Sequence, residues 1–239
     1  MEPAGYIPVF EATRGKIVES VQFGAAAVVD TKGELVASLG DPELVTYLRS
    51  SAKPFQALPF MQEGGDEKFK LTGEETAILC ASHSGTDRHV QVVQALQKKI
   101  GIPESALQCG THPPSDADTK KRMIHNDEAL SPNRHNCSGK HSGMLAYARM
   151  HGYDLENYIR VDHPVQQKIL AVFSEMVGMS PAEIAIGIDG CSVPTFAVPL
   201  KNAALAYARL ADPSDLEPDR ASACRRVTLQ MTSHPWVSA

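Results

Sequence analysis

Ser50 and Lys53 lie three residues apart in Arg49-Ser50-Ser51-Ala52-Lys53-Pro54-Phe55-Gln56, where an apolar helical pattern begins. Three residues is nearly one helical turn, so the two side chains can share a face. A serine hydroxyl becomes a useful nucleophile only when a neighbour removes its proton. A lysine amine can do that when desolvation or nearby positive charge holds it neutral. The same spacing also fits a plain helix start, with Ser50 as N-cap and Lys53 in solvent. Pro54 narrows the choice of start, because the residue before proline is biased away from helical angles. The helix must begin very close to Lys53.

Three further clusters of small residues stand at element ends, where catalytic groups are usually displayed. They are Ala81-Ser82-His83-Ser84-Gly85, Asn136-Cys137-Ser138-Gly139-Lys140-His141-Ser142-Gly143 and Asp189-Gly190-Cys191-Ser192. Each also has a purely structural explanation. Ser82 can terminate a helix, Gly139 and Gly143 can supply turn angles, and Cys137 and Cys191 can be small buried hydrophobes. Lys140 and His141 would then be surface residues at a helix N-terminus, where cations oppose the helix dipole. That conflict favours a site for a bound carboxylate.

The elements that must position these clusters read as follows. Ile17 to Val21 is β-rich, and Ala25–Val29 and Leu35–Leu39 flank a turn at Gly33, as in a hairpin. A short strand over Val45–Leu48 would deliver Ser50 to the edge of an antiparallel sheet. Phe55–Met61 continues as helix or helical turns interrupted by Pro59. Thr72 opens a capping box before a helix ending near Cys80, and Thr86 caps a second helix that stops at Gly101. Residues 111–136 form a long polar loop with a helix over Asp118–His125. Helices are expected over Met144–His151, Val165–Val177, Lys201–Leu210 and Ala221–Thr232, with a half-buried strand carrying Ile184, Ile186 and Ile188. No internal repeat or low-complexity linker appears, so residues 1–239 form one unit without a firm internal boundary.

Composition excludes several functions. A formal charge of -5 gives no electrostatic footprint for nucleic acid or an anionic membrane. No apolar run approaches the roughly 18 residues of a membrane span, and the first fifteen residues show no signal-peptide pattern. The five cysteines are scattered and odd in number, which reads as reduced thiols in the cytoplasm.

Taken together, the four clusters resemble the Asparaginase II family, the Ser-Lys type L-asparaginases. The likeness runs from about Pro8 to about Pro235 and includes Arg14-Gly15 and the hairpin that follows; its most specific part is Cys137 to Gly143. The resemblance implies a mixed α/β (α+β) fold, an antiparallel sheet flanked by helices, related to serine-dependent glutaminases and β-lactamases. By position, Ser50 looks like the nucleophile, Lys53 its activating base, and Ser82 a second serine that passes protons. Cys137, Lys140 and Cys191 match residues that bind zinc in the family, and Arg49, His141 and Asp189, with Lys140, match residues around the substrate. The implied substrate is L-asparagine, hydrolysed to aspartate and ammonia, and the expected assembly is a homodimer. One departure stands out: a further catalytic lysine that related enzymes carry near the chain end has no counterpart before Ala239, so the chain is expected to be C-terminally truncated and impaired. Two other readings remain open. One is a β-lactamase-like serine hydrolase, in which the cysteine-lysine-histidine cluster has no role. The other is an amino-acid-binding protein that has lost catalysis.

Overall fold

A computed structural model describes residues 4–238. Met1, Glu2, Pro3 and Ala239 lie outside the described residues, so the expected 1–239 unit reaches past them at both ends. The chain opens with β1 (Ile7–Arg14) and β2 (Ile17–Gly24), an antiparallel ribbon. Gly15 takes φ +63° at its tip, a conformation glycine adopts without steric cost. β3 (Ala26–Val29) and β4 (Leu35–Leu39) form the expected second hairpin. β5 (Val45–Tyr47) leads towards Ser50, also as expected.

The helical part begins with α1 (Lys53–Gln62), α2 (Gly65–Lys68), α3 (Gly73–Leu79) and α4 (Asp87–Ile100). The capping boxes at Thr72 and Thr86 are both formed, and Gly101 closes α4 in the left-handed conformation. Next come α5 (Ala117–His125), α6 (Ser138–His151) and α7 (Pro164–Val177). β6 (Ala185–Ile188) and β7 (Pro194–Pro199) precede α8 (Leu200–Ala211) and α9 (Pro218–Ser233). The third sheet has the order β5-β7-β6 and is antiparallel throughout. The architecture is thus mixed α/β, with antiparallel strands flanked by helices, although the strands divide among three small sheets.

α1 is the axis of the core. Every residue from Lys53 to Met61 is buried, among α6, α7 and α9. A helix apolar on nearly all sides belongs inside. Pro59 does not interrupt it, contrary to the sequence expectation: the helix runs through to Gln62. Around it, Phe55 meets Phe173 edge to face, and Phe173 stacks on Phe196.

Two other expectations need correction. The stretch from Ser138 to Gly143 is the first part of α6, not a loop before a helix at Met144. Its glycines are there for clearance: a Cβ on Gly139 would lie 2.1 Å from the Ile78 carbonyl oxygen of α3. The strands β1 and β7 were not expected, and β7 is the central strand of its sheet. The β1–β2 ribbon leaves Phe10, Ile17 and Val18 exposed. All five cysteines are unpaired and buried, and no helix among the described residues is long and apolar enough to cross a membrane.

Candidate active site

The entry to α1 is held from three sides. After β5, the Leu48 N–H donates to the Phe196 carbonyl of β7 (3.0 Å). Arg49 then takes φ +50°, a left-handed conformation that costs a non-glycine residue energy and concentrates at functional sites. It turns the chain into a 3₁₀ helix over Arg49–Ala52 that runs into α1. Tyr207 of α8 secures this turn by donating to the Ser51 carbonyl (2.7 Å).

This geometry sets the Ser50 hydroxyl against that of Ser82, just beyond α3, at 3.3 Å. The Asn136 side-chain amide also donates to Ser82 Oγ (3.0 Å). Ser82 is solvent-exposed and Ser50 half-buried, so reactants can reach the pair. Lys53 is almost sealed, at 1% exposure. Its Nζ donates to the Ala81 and Asn136 carbonyls, at 2.8 and 2.9 Å. Burial pulls the Lys53 pKa down, and Lys140 pulls the same way, while the Cys137 sulfur beside it opposes. The structure therefore brings Ser50 to Ser82, and places Lys53 behind Ser82 through the adjoining Ala81 carbonyl.

A second group lies deeper. Lys140 Nζ approaches Cys191 Sγ at 3.1 Å. The Cys137 thiol hydrogen-bonds to Cys191; this bond, with His141 and Lys140, drives the Cys191 pKa down, and the same bond together with burial pushes the Cys137 pKa up. One thiolate, on Cys191, is thereby favoured between two sulfurs. His141 is fully buried beside Cys191. Its Nδ1 pairs with Tyr158 Oη at 2.6 Å, and that oxygen accepts the Gln108 N–H at 2.9 Å. The tyrosine hydrogen is thus free to go to Nδ1, which leaves the imidazole proton on Nε2, an atom with no hydrogen-bond partner.

The third grouping is an ion pair. Arg49 Nη2 meets Asp189 Oδ1 at 3.2 Å; the arginine side chain is 71% exposed and the aspartate 12%. A cavity of about 210 Å³ lies between Ser50, the two thiols and this ion pair, lined by Arg49, Ser50, His135, Cys137, Asp189 and Cys191 among others. His135 accepts the Cys137 N–H on Nδ1 (3.0 Å), and burial with nearby His112 lowers its pKa to about 4, so it stays neutral.

Of the residues singled out in the sequence, Arg49, Ser50, Cys137, Asp189 and Cys191 line the cavity. Lys53, Lys140 and His141 are buried, and Ser82 touches Ser50. Asn136, His135 and Tyr158 received no role from sequence, and only Asn136, which opens the Cys137 cluster, carried any signal.

A comparison with curated proteins finds no match. A scan against protein families gives one described as L-asparaginase II, matching residues 10–239. With a match of that extent, carrying the serine pair, the thiol-lysine cluster and the Arg49–Asp189 pair within it, the chain belongs to the L-asparaginase II family.

Proposed function

We propose that this chain is an L-asparaginase, hydrolysing L-asparagine to L-aspartate and ammonia through an acyl-enzyme on Ser50. The observation that carries this reading is the Ser50–Ser82 hydroxyl contact, on a small cavity whose other wall holds the Arg49–Asp189 pair. Arg49 suits the substrate's α-carboxylate and Asp189 its α-ammonium, as complementary charges. The Ser50 hydroxyl donates its proton towards Ser82, and Lys53, desolvated and held on the carbonyl of Ala81 just before Ser82, accepts it for the pair. Ser50 Oγ bonds to the side-chain amide carbon, the carbonyl becomes an oxyanion, and ammonia leaves with the returned proton. Water then attacks the ester by the same route and releases aspartate. An ammonia-release assay with asparagine, run beside glutamine, tests this. No release from asparagine overturns it.

The deeper cluster suits zinc. No group of three or more His, Cys, Asp or Glu side chains among the described residues is arranged to hold a metal. A site here therefore depends on its lysine: Cys137, Cys191 and Lys140 bring two sulfurs and a nitrogen, which zinc accepts. Bound there, the ion would keep Lys140 neutral and both sulfurs ionised. We expect about one zinc per chain, lost in Lys140→Met and in Cys191→Ser. Elemental analysis of protein purified without chelator checks this, and a zinc-free parent protein removes the assignment. The unpaired, buried thiols support a cytoplasmic location. The exposed apolar β1–β2 ribbon supports a homodimer, which sedimentation velocity would detect.

A further inference from the structure

A second cavity, of about 420 Å³, opens beyond the Arg49–Asp189 pair. It shares Arg49, Asp189 and Gly190 with the Ser50 cavity and continues over Tyr47, Ile188 and Thr195. Ser50 lines the first cavity and not the second. The added space therefore adjoins the α-carbon end of a bound asparagine, opposite the amide that leaves.

Thr195 is 6% exposed, and its Oγ1 is buried with no hydrogen-bond partner. An unpaired buried hydroxyl is destabilising, and this one lies on a cavity that could supply the partner the protein itself does not. Ile188 and the Tyr47 ring offer apolar surface, and Tyr47 packs so close to Gly187 that a Cβ there would lie 3.0 Å from the ring. The volume falls in the range of pockets that hold small molecules. One polar group among apolar walls is how such pockets fix orientation.

The two charges differ in freedom. Asp189 is nearly buried, so it fixes an α-ammonium close to Ser50, whereas the exposed Arg49 can follow a carboxylate outward. We propose that the site also takes short peptides with asparagine at their N-terminus, the second residue lying in the outer cavity with its peptide group on Thr195 Oγ1. This rests on the asparaginase reading above. The reaction is the same: the side-chain amide is hydrolysed, ammonia leaves, one water is consumed, and the peptide bond survives. Asn-Ala would become Asp-Ala.

Two experiments test it. Mass spectrometry of the parent protein incubated with Asn-Ala should show the peptide gaining about one mass unit, the exchange of an amide for an acid, with no free alanine. Calorimetry on Ser50→Ala, with and without Thr195→Val, should show Asn-Ala affinity falling about tenfold in the double variant, the worth of one hydrogen bond, with asparagine affinity unchanged. Thr195→Val alone should also melt about 2–4 °C higher, since it removes an unpaired buried hydroxyl; a merely structural threonine would not combine the two effects. If asparagine is hydrolysed but Asn-Ala neither binds nor reacts, the inference falls and the asparaginase reading stands. Equal weakening of both ligands by Thr195→Val also overturns it. If neither ligand binds or reacts, both readings fall together.

Discussion

Ser50→Ala is expected to lower ammonia release from asparagine by about 10⁴-fold or more, because nucleophile and base act as a unit. Folding should be almost untouched. The hydroxyl is half-buried and its one hydrogen bond goes to Ser82, so the unfolding free energy should hold within the change of a neutral surface substitution, about 0.5 kcal/mol. Ser82→Ala should lose less, about 10²- to 10³-fold, as a proton-passing group rather than the attacking atom. Turnover by Ser50→Ala near the parent rate would take Ser50 out of the mechanism, whatever the family.

The second large effect is structural. Gly139→Ala places a methyl 2.1 Å from the Ile78 carbonyl oxygen and 2.8 Å from its carbon. Both contacts are backbone, so no side-chain rotation relieves them. Helix α6 must shift away from α3, at a cost of about 3 kcal/mol, the upper part of the range for overpacked cores. At about 2–4 °C per kcal/mol for a chain of this size, the melting point should drop by about 6–12 °C. The same shift displaces Cys137 and Lys140, on either side of Gly139, so the zinc proposed for that cluster should be lost along with stability. Gly190→Ala is the control: its Cβ would meet nothing within 4 Å, and its melting point should stay at the parent value. A differential scan showing the two variants alike would remove the clearance argument.

The parts of the fold legible in the sequence were those set by local chemistry. Thr72 and Thr86 cap their helices through contacts three residues away, and Gly101 and Gly178 end α4 and α7 at the next position. What stayed hidden was set by distant contacts. β7 has no alternation because it is buried along most of its length, and its flanking prolines look like breakers. Pro194 sits at its first position, where a strand tolerates proline, and Pro199 at its last, where the chain turns into α8. The glycines of α6 read as loop, since only residues some sixty positions earlier explain them: the Ile78 carbonyl against Gly139 and the Leu79 side chain against Gly143. The site divides the same way. Ser50, Lys53 and Ser82 stand out at element ends, whereas Asn136 reaches Ser82 across 54 residues and Tyr158 reaches His141 across a helix and a turn. The Lys53 amine presents a further contrast. Its three-residue spacing from Ser50 was plain, but the two carbonyls that take its hydrogens come from residues 81 and 136.

The buried thiols away from the cavity make the protein its own stability clock. Cys80, Cys109 and Cys224 are buried in the native state and do not line the Ser50 cavity, so a thiol reagent can label them only after the surrounding structure opens, whereas Cys137 and Cys191 face the cavity itself. Where reclosing is fast, the labelling rate equals the intrinsic rate multiplied by the opening equilibrium. Cys224 in α9 reports the release of the last helix, and Cys80 the unlocking of the α3 end next to Ser82. Cys109 reports the loop before α5, while Cys137 and Cys191 report the cavity floor. Read residue by residue, such a time course would rank the order in which this molecule comes apart without a single substitution.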